Sequence, residues 1–246
     1  MTTRQRTTTI TRAVGGAGAL ALLAAGCGGG SGGSSGDSGD DFADQSAQEI
    51  MTASAEDMKA LESVRVSGDI KTDGQEMSLD MQISAGGECE GTMSVMGGSA
   101  ELKSTGDATW FRPDEAFWQA TAGEQADQIM TIVGDKWVVM PPDQADLASL
   151  CDLDELLEEM DEEDKDATKG ETEEVDGQEA VIIESTTDED DPVKAWVATE
   201  DEHYILQMEV TEGEEPGTIS FSDFDEELDV QAPADDEVID FEQMAG

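Results

Sequence analysis

Three cysteines and one histidine are the residues of this 246-residue sequence that most readily form bonds or carry protons. A hydrolytic triad needs a base held beside a nucleophile. His203 lies at the start of a predicted strand, and no G-x-S-x-G motif occurs. We therefore predict that His203 is a structural residue at a strand edge and that the protein is not an enzyme.

Metal and cofactor sites are not predicted either. Neither Cys89 nor Cys151 has a second cysteine or a histidine at metal-ligand spacing. Segment 164–170 resembles a calcium loop but places its glycine one position late. With 60 acidic residues, carboxylate pairs arise by chance, and no GxxxxGK[ST] phosphate loop is present. The sequence thus predicts no metal and no cofactor.

Cys27 ends a segment with the features of an export signal. Arginines at positions 4, 6 and 12 precede an apolar run of about thirteen residues, whereas a membrane span needs roughly 20. Leu23-Ala24-Ala25-Gly26-Cys27 resembles the lipobox of bacterial lipoproteins, where the cysteine thiol receives a diacylglyceryl group and becomes the mature N-terminus. We predict a signal peptide over residues 1–26 and lipidation of Cys27; an ordinary secretion signal is the alternative.

The segment after Cys27 is predicted to be a tether. Residues 28–41 are rich in glycine and serine, and such a chain is a flexible coil that spans on the order of 20 Å. Several buried acyl chains anchor a protein firmly to a bilayer. The predicted organisation is a lipidated tether over 27–41 and a single domain over 42–246, held on the extracytoplasmic face of the cell membrane.

Cys89 and Cys151 are the pair that remains after lipidation. An even number of cysteines in an exported domain favours a disulfide, because disulfides persist outside the cytoplasm. The bridge would close a loop of about sixty residues and stabilise the fold by about 4 kcal/mol in the chain-entropy model. Two buried free thiols are the alternative.

The net charge of −48 excludes one class of partner. A chain this acidic does not bind nucleic acid, because the phosphate backbone repels it. The acidic runs are predicted to be solvated loops and helix ends.

The spacing of apolar residues predicts helices and strands in a defined order. Helical spacing favours helices at 46–62, from Pro113 through Trp118, at 125–133 and at 143–160. Ser46 and Glu49 form a predicted capping box. Alternating apolar and polar residues predict strands at 64–70, 77–83, 89–96, 99–105, 107–111, 136–140, 171–175, 179–185, 193–197, 203–210 and 217–221. The fold class is α+β: a strongly curved antiparallel sheet of about ten or eleven strands, covered by two to four helices.

Short segments of the mature chain resemble a lipoprotein family. The segments are Gly106 to Trp110, Ala116 to Trp118, Gly134 to Val138, Val175 to Val181 and Ile219 to Asp223. With the lipobox, tether and order of elements, they resemble the LppX/LprA/LprF/LprG lipoproteins, which share the LolA-like half-barrel. The resemblance implies a curved sheet whose concave side, closed by helices, holds the acyl chains of a lipid or glycolipid.

Two functions are expected as alternatives. The first, which the resemblance implies, is a membrane-anchored, non-enzymatic carrier or binder of a lipid or glycolipid. The second is a surface module with a filled core that recognises a protein or a cell-wall component. The expected cavity-lining residues are Val64, Val66, Ile70, Met77, Leu79, Met81, Ile83, Met93, Val95, Leu206 and Met208.

Overall fold

The computed structural model describes residues 42–72, 74–140, 149–160, 167–187, 191–213 and 215–240. The predicted signal peptide (1–26) and lipidated tether (27–41) therefore lie outside the described residues. The first part of the predicted helix at 143–160 and the start of the calcium-like segment 164–170 also lie outside the described residues.

One large open sheet forms the framework of the described chain. Its twelve strands follow the order β12-β6-β5-β4-β3-β2-β1-β11-β10-β9-β8-β7. All neighbours are antiparallel except β12 and β6, which run parallel. The strands are β1 (Ser63–Thr72), β2 (Gln75–Ser84), β3 (Glu88–Val95), β4 (Gly98–Thr105), β5 (Thr109–Pro113), β6 (Trp137–Val139), β7 (Thr168–Val175), β8 (Gln178–Thr186), β9 (Pro192–Ala198), β10 (Ile205–Val210), β11 (Gly217–Ser222) and β12 (Val238–Ile239). The predicted α+β half-barrel is confirmed. The twelfth strand was not predicted, because its two residues are too few to show an alternation of apolar and polar side chains.

Four helices accompany the sheet in the described residues. They are α1 (Ala47–Met58), α2 (Glu115–Ala122), α3 (Ala126–Val133) and α4 (Leu153–Met160). The predicted capping box starts α1: the Glu49 backbone N–H donates to Ser46 Oγ, and the Ser46 N–H donates to Glu49 Oε2. Asp114 caps α2 with a single bond, since its side chain accepts the Phe117 N–H at 2.7 Å.

One predicted helix start is wrong, and one predicted helix is interrupted. Pro113 is the last residue of β5 and lies opposite Ala100, so it precedes the helix instead of beginning it. The predicted helix at 143–160 does not run through Cys151, which lies in a 3-10 turn at Ser149–Cys151. Asp152 follows that turn and accepts the Glu155 N–H at 3.0 Å, so a new helix begins there.

Most apolar side chains of the sheet point to the side that the helices cover, which we call the concave face. The main hydrophobic core joins residues of β1–β5 and β8–β11 with α1, α2 and α4. A smaller core on the opposite, convex face contains Ile182, Trp196 and Leu206. Gly91 in β3 helps the sheet bend, since a Cβ there would overlap the carbonyl oxygen of Asp80 on the neighbouring strand.

The two halves of the sheet meet at one seam, between β1 and β11. Strands β1–β6 follow one another on one side of the seam, and β7–β11 do so on the other. Asp225, just after β11, ties the seam: Oδ1 accepts the Glu62 N–H at 2.7 Å, and Oδ2 accepts the Tyr204 hydroxyl at 3.2 Å. Burial, with Asp225 nearby, raises the pKa of Tyr204 to about 12, so the hydroxyl remains a donor.

Candidate functional site

The strand register aligns the apolar side chains of the concave face into four rows across the sheet. Each row joins residues that are paired on adjacent strands, so its members face the same side. From the β1–β2 turn inward the rows are Ile70–Met77–Val95, Leu79–Met93–Ala100, Val66–Met81–Gly91–Leu102–Phe111 and Val64–Ile83–Cys89.

Burial increases steadily along these rows. All three residues of the first row are only partly buried. In the fourth row Val64 and Cys89 have no exposed surface, and Ile83 exposes 2%. The concave face is therefore closed at the Val64 end and accessible at the Ile70 end.

A groove of about 470 Å³ lies at the same end of the sheet, mainly on its convex face. Ile70 and Met77 contribute apolar surface to it, and Pro216 from the β10–β11 connection forms part of its wall. Polar groups of Ser78 and Ser94 line the groove as well. Asp69, Lys71 and Glu76 also line it. Asp69, Ser78 and Ser94 are paired across the sheet on its convex side, so this groove is polar and is separate from the apolar rows.

The structure places most of the residues predicted to line a cavity on the concave face. Val64, Val66, Met81, Ile83 and Met93 are buried in the main core. Met77, Leu79, Val95 and Met208 pack against it, partly buried.

Leu206 is placed elsewhere. The β9–β10 register shifts between Ile205 and Gln207, so the alternation that would put Leu206 beside Met208 is interrupted. Leu206 instead packs with Trp196 in the convex-face core.

A disulfide fixes the closed end of the concave face. Cys89 in the fourth row is bonded to Cys151, with their Cα atoms 5.3 Å apart. The bond joins the centre of the sheet to the turn that precedes α4. The predicted bridge is confirmed, and the alternative of two free thiols is wrong.

His203 has a structural environment. Its backbone N–H donates to Asp57 Oδ2 at 2.8 Å, and its ring stacks on Phe42 with 3.5 Å between centroids. These contacts tie the approach to β10 to α1 and the segment before it. Within the described ranges, no group of three or more His, Cys, Asp or Glu side chains is placed to hold a metal ion.

The convex face carries paired charges that were not predicted from the sequence. Arg65 makes two hydrogen bonds to Asp80, at 2.9 and 2.8 Å. The Arg112 guanidinium lies 4.4 Å from the centre of the Trp137 ring, an arrangement that favours a cation–π contact. The alternation of side chains in β1 predicts that Arg65 faces away from Val64. The contact between Arg112 and Trp137 depends on the pairing of β5 with β6, which the sequence does not show.

A second groove of about 470 Å³ lies on this convex face. Its walls include Lys103, Glu90 and Trp137 from the sheet, together with Glu226 and Leu228 from the segment after β11. Lys103 Nζ is 3.3 Å from Glu90 Oε2. The groove is thus a polar, largely charge-paired surface, unlike the concave face.

No helix among the described residues is long and apolar enough to cross a membrane.

No protein-family model and no curated protein matches the sequence. Solved structures do match. LprF from Mycobacterium bovis superposes with a TM-score of 0.57 at 16% identity, covering 76% of this chain and 97% of LprF.

The Mycobacterium tuberculosis lipoprotein LppX superposes with a TM-score of 0.51 at 17% identity, covering 75% of this chain and 98% of LppX. At these identities the likeness concerns the fold, and it extends over nearly the whole length of both solved chains. The chain therefore has the half-barrel fold of LprF and LppX.

Proposed function

We propose that this protein is a lipoprotein held on the extracytoplasmic face of the cell membrane through lipidated Cys27. Its half-barrel binds or carries a lipid or glycolipid, with the acyl chains between the concave face and the helices, and it catalyses no reaction. The observation that carries this proposal is the graded burial of the four rows, accessible at Ile70 and closed at Val64.

The chemistry of the concave face supports this proposal. Each Å² of apolar surface removed from water contributes about 25 cal/mol, so an acyl chain gains most by following the rows inward. Met77, Met81 and Met93 lie in three successive rows. Methionine side chains are flexible and adapt to irregular partners, as a surface that accommodates acyl chains requires.

The mature, delipidated protein is expected to bind a fluorescent acyl-glycerol probe saturably and with 1:1 stoichiometry. Met77→Glu should weaken this binding by about tenfold or more, because it places a carboxylate at the entrance that the acyl chain must cover. Gln82→Glu is the matched control: it adds the same charge on the same strand but on the convex face, and should leave binding unchanged. Fluorescence titration gives both constants. Absence of saturable binding to the unaltered protein would contradict the proposal.

The anchor has its own test. Cys27→Ser should move the protein from the membrane fraction to the soluble fraction, because serine offers no thiol for the diacylglyceryl group. Intact-mass measurement of the native mature protein should show an acylated cysteine at its N-terminus. An N-terminus without acyl mass would refute the anchor while leaving the half-barrel assignment in place.

The convex groove favours a second candidate function. In this alternative the core is filled by its own side chains, and the surface around Glu90, Lys103 and Glu226 recognises a protein or a cationic cell-wall component. The two functions differ in the titration above: an interaction module of this kind would show no saturable acyl binding.

A further inference from the structure

The two grooves described above lie end to end on the convex face. Ser78 and Ser94, which line the first groove, are paired across β2 and β3. Asp80 and Thr92, which line the second groove, are the next pair on the same face of these two strands. The grooves therefore join into one channel that follows β2 and β3, which we call the convex trough.

The floor of the convex trough consists of short polar side chains. Ser78, Thr92 and Ser94 place hydroxyl groups along it, and each hydroxyl can donate and accept a hydrogen bond. Long charged side chains stand on both sides, Arg65 on β1 and Lys103 on β4. These strands are three strand spacings apart, about 14 Å. Because a helix with its side chains is about 10–12 Å across, the space left between them suits an extended chain better.

The charges in the middle of the trough are already paired within the chain. Arg65 makes two hydrogen bonds to Asp80, and Lys103 Nζ lies 3.3 Å from Glu90 Oε2. A charged ligand would have to displace one of these partners in order to bind here.

The two ends of the trough carry carboxylates in excess. At one end Glu226 and Glu227 are exposed, and no lysine or arginine of the described residues forms an ion pair with either of them. At the other end Asp69 and Glu76 are exposed and share the surroundings of a single ammonium group, that of Lys71. Each end is therefore negatively charged, whereas the middle is not.

The distance between the ends corresponds to about six residues of an extended chain. The Glu226 carbonyl oxygen accepts a hydrogen bond from Ser63 Oγ, which places the first end beside the start of β1. Asp69 lies six positions further along this strand, about 20 Å away at about 3.4 Å per residue. Residues six positions apart lie on the same side of an extended chain.

The net charge of the protein selects the sign of the partner. At −48 the chain repels an acidic partner and a second copy of itself. A partner with two cationic groups at the right spacing would meet, at each end, carboxylates in excess of the local cations.

We propose that the convex trough binds an extended basic segment of a partner protein, with two lysine or arginine side chains about six positions apart, one at the Glu226 end and one at the Asp69 end. The backbone of the segment lies over the hydroxyls of the floor. The trough is on the opposite face of the sheet from the apolar rows, so this inference goes beyond the proposed acyl binding and does not depend on it. It also does not require the filled core of the second candidate function.

The first test varies the spacing of charges in the ligand. Two short peptides of the same composition, built from lysine, serine and threonine with blocked ends and an uncharged dye, carry two lysines each. The lysines are six positions apart in the spaced peptide and neighbours in the adjacent peptide. Fluorescence anisotropy should show that the mature protein binds the spaced peptide about threefold more tightly, the effect of one additional surface ion pair. Equal affinities would overturn the proposal.

The second test removes charge from the ends of the trough. Glu226→Gln combined with Glu227→Gln should weaken binding of the spaced peptide by about threefold, because one lysine loses its partners. Asp69→Asn should act in the same way at the other end. The matched control, Glu171→Gln combined with Glu174→Gln, removes the same charge from the exposed edge strand β7 and should leave the affinity unchanged. An equal loss in the control would indicate a general response to net charge and overturn the proposal.

The third test fills the floor without changing the charge. Ser94→Gln should reduce the affinity for the spaced peptide to that for the adjacent peptide, because the longer side chain occupies the space of the peptide backbone. Ser220→Gln is the matched control, since Ser220 is partly buried on the same face of β11 but lines neither groove. Normal binding of the spaced peptide to Ser94→Gln would place the peptide outside the trough.

The acyl-glycerol titration separates this inference from the proposed function. The trough variants at Asp69, Ser94 and Glu226 should bind the acyl-glycerol probe as the unaltered protein does, because their side chains are not on the concave face. Failure of the unaltered protein to bind either peptide would overturn the trough assignment and leave the acyl function in place. Selective binding of the spaced peptide by a protein that binds no acyl probe would support the trough and overturn the acyl function alone.

Discussion

Replacing Cys89 and Cys151 together by alanine is expected to lower the free energy of unfolding of the mature domain by about 4 kcal/mol. The two cysteines are 62 positions apart in the sequence, so removal of the bond releases a long loop in the unfolded chain. Both sulfur atoms are also at the closed end of the concave face, where their loss leaves space in the core. Urea denaturation followed by tryptophan fluorescence measures the change.

Reduction provides the control for the cysteine variants. Treating the unaltered domain with a reductant under mildly denaturing conditions should give nearly the same loss, because it breaks the bond and keeps the side chains. Free-thiol labelling of the denatured, unreduced mature protein should detect neither Cys89 nor Cys151. Equal urea midpoints for the oxidised and reduced proteins would contradict a stabilising role for the bridge.

Gly98→Ala is expected to destabilise the domain by about 3 kcal/mol, at the upper end of the usual cost of overpacking. Gly98 begins β4 and is buried beneath α2, where an added Cβ would overlap the backbone nitrogen and Cα of Phe117. Since these are backbone atoms, the whole helix must shift. The packing of Phe117 and Trp118 on Phe111 should loosen with it.

Gly86→Ala is the matched control for this prediction. At Gly86 an added Cβ meets the Ser84 hydroxyl oxygen at 3.6 Å, an ordinary contact, so stability should change by less than about 0.5 kcal/mol. Thermal unfolding of both variants gives the comparison. A Gly98→Ala protein as stable as Gly86→Ala would mean that α2 does not rest on β4 as described.

The features that the sequence predicted best depend on neighbouring residues. The capping box at Ser46 and the alternation from Met77 to Ile83 are local patterns, and both are found as predicted. The Cys89–Cys151 bond followed from the expectation that an exported domain pairs its cysteines, with Cys27 set apart as the expected lipidation site. The long, curved sheet followed from the number and alternation of the strands, and the half-barrel from the family resemblance.

The features that the sequence did not predict depend on contacts between distant elements. The placement of Leu206 depends on a bulge in β10, which the alternation of apolar and polar residues does not reveal. The parallel pairing of Val238–Ile239 with β6 needs the final segment to return across the sheet. The joining of the two grooves into the convex trough likewise depends on the register between β2 and β3, which the sequence does not show.

The seam between β1 and β11 has a consequence for the nascent chain. The residues that join it, such as Glu62 and Asp225, are 163 positions apart, so β1 is synthesised long before its second neighbour exists. During that interval β1 is an uncovered strand edge, the kind of surface that promotes intermolecular aggregation. Arg65, Asp69 and Lys71 are exposed along it. Charges in such positions are the kind that discourage association between chains whose strand edges are uncovered.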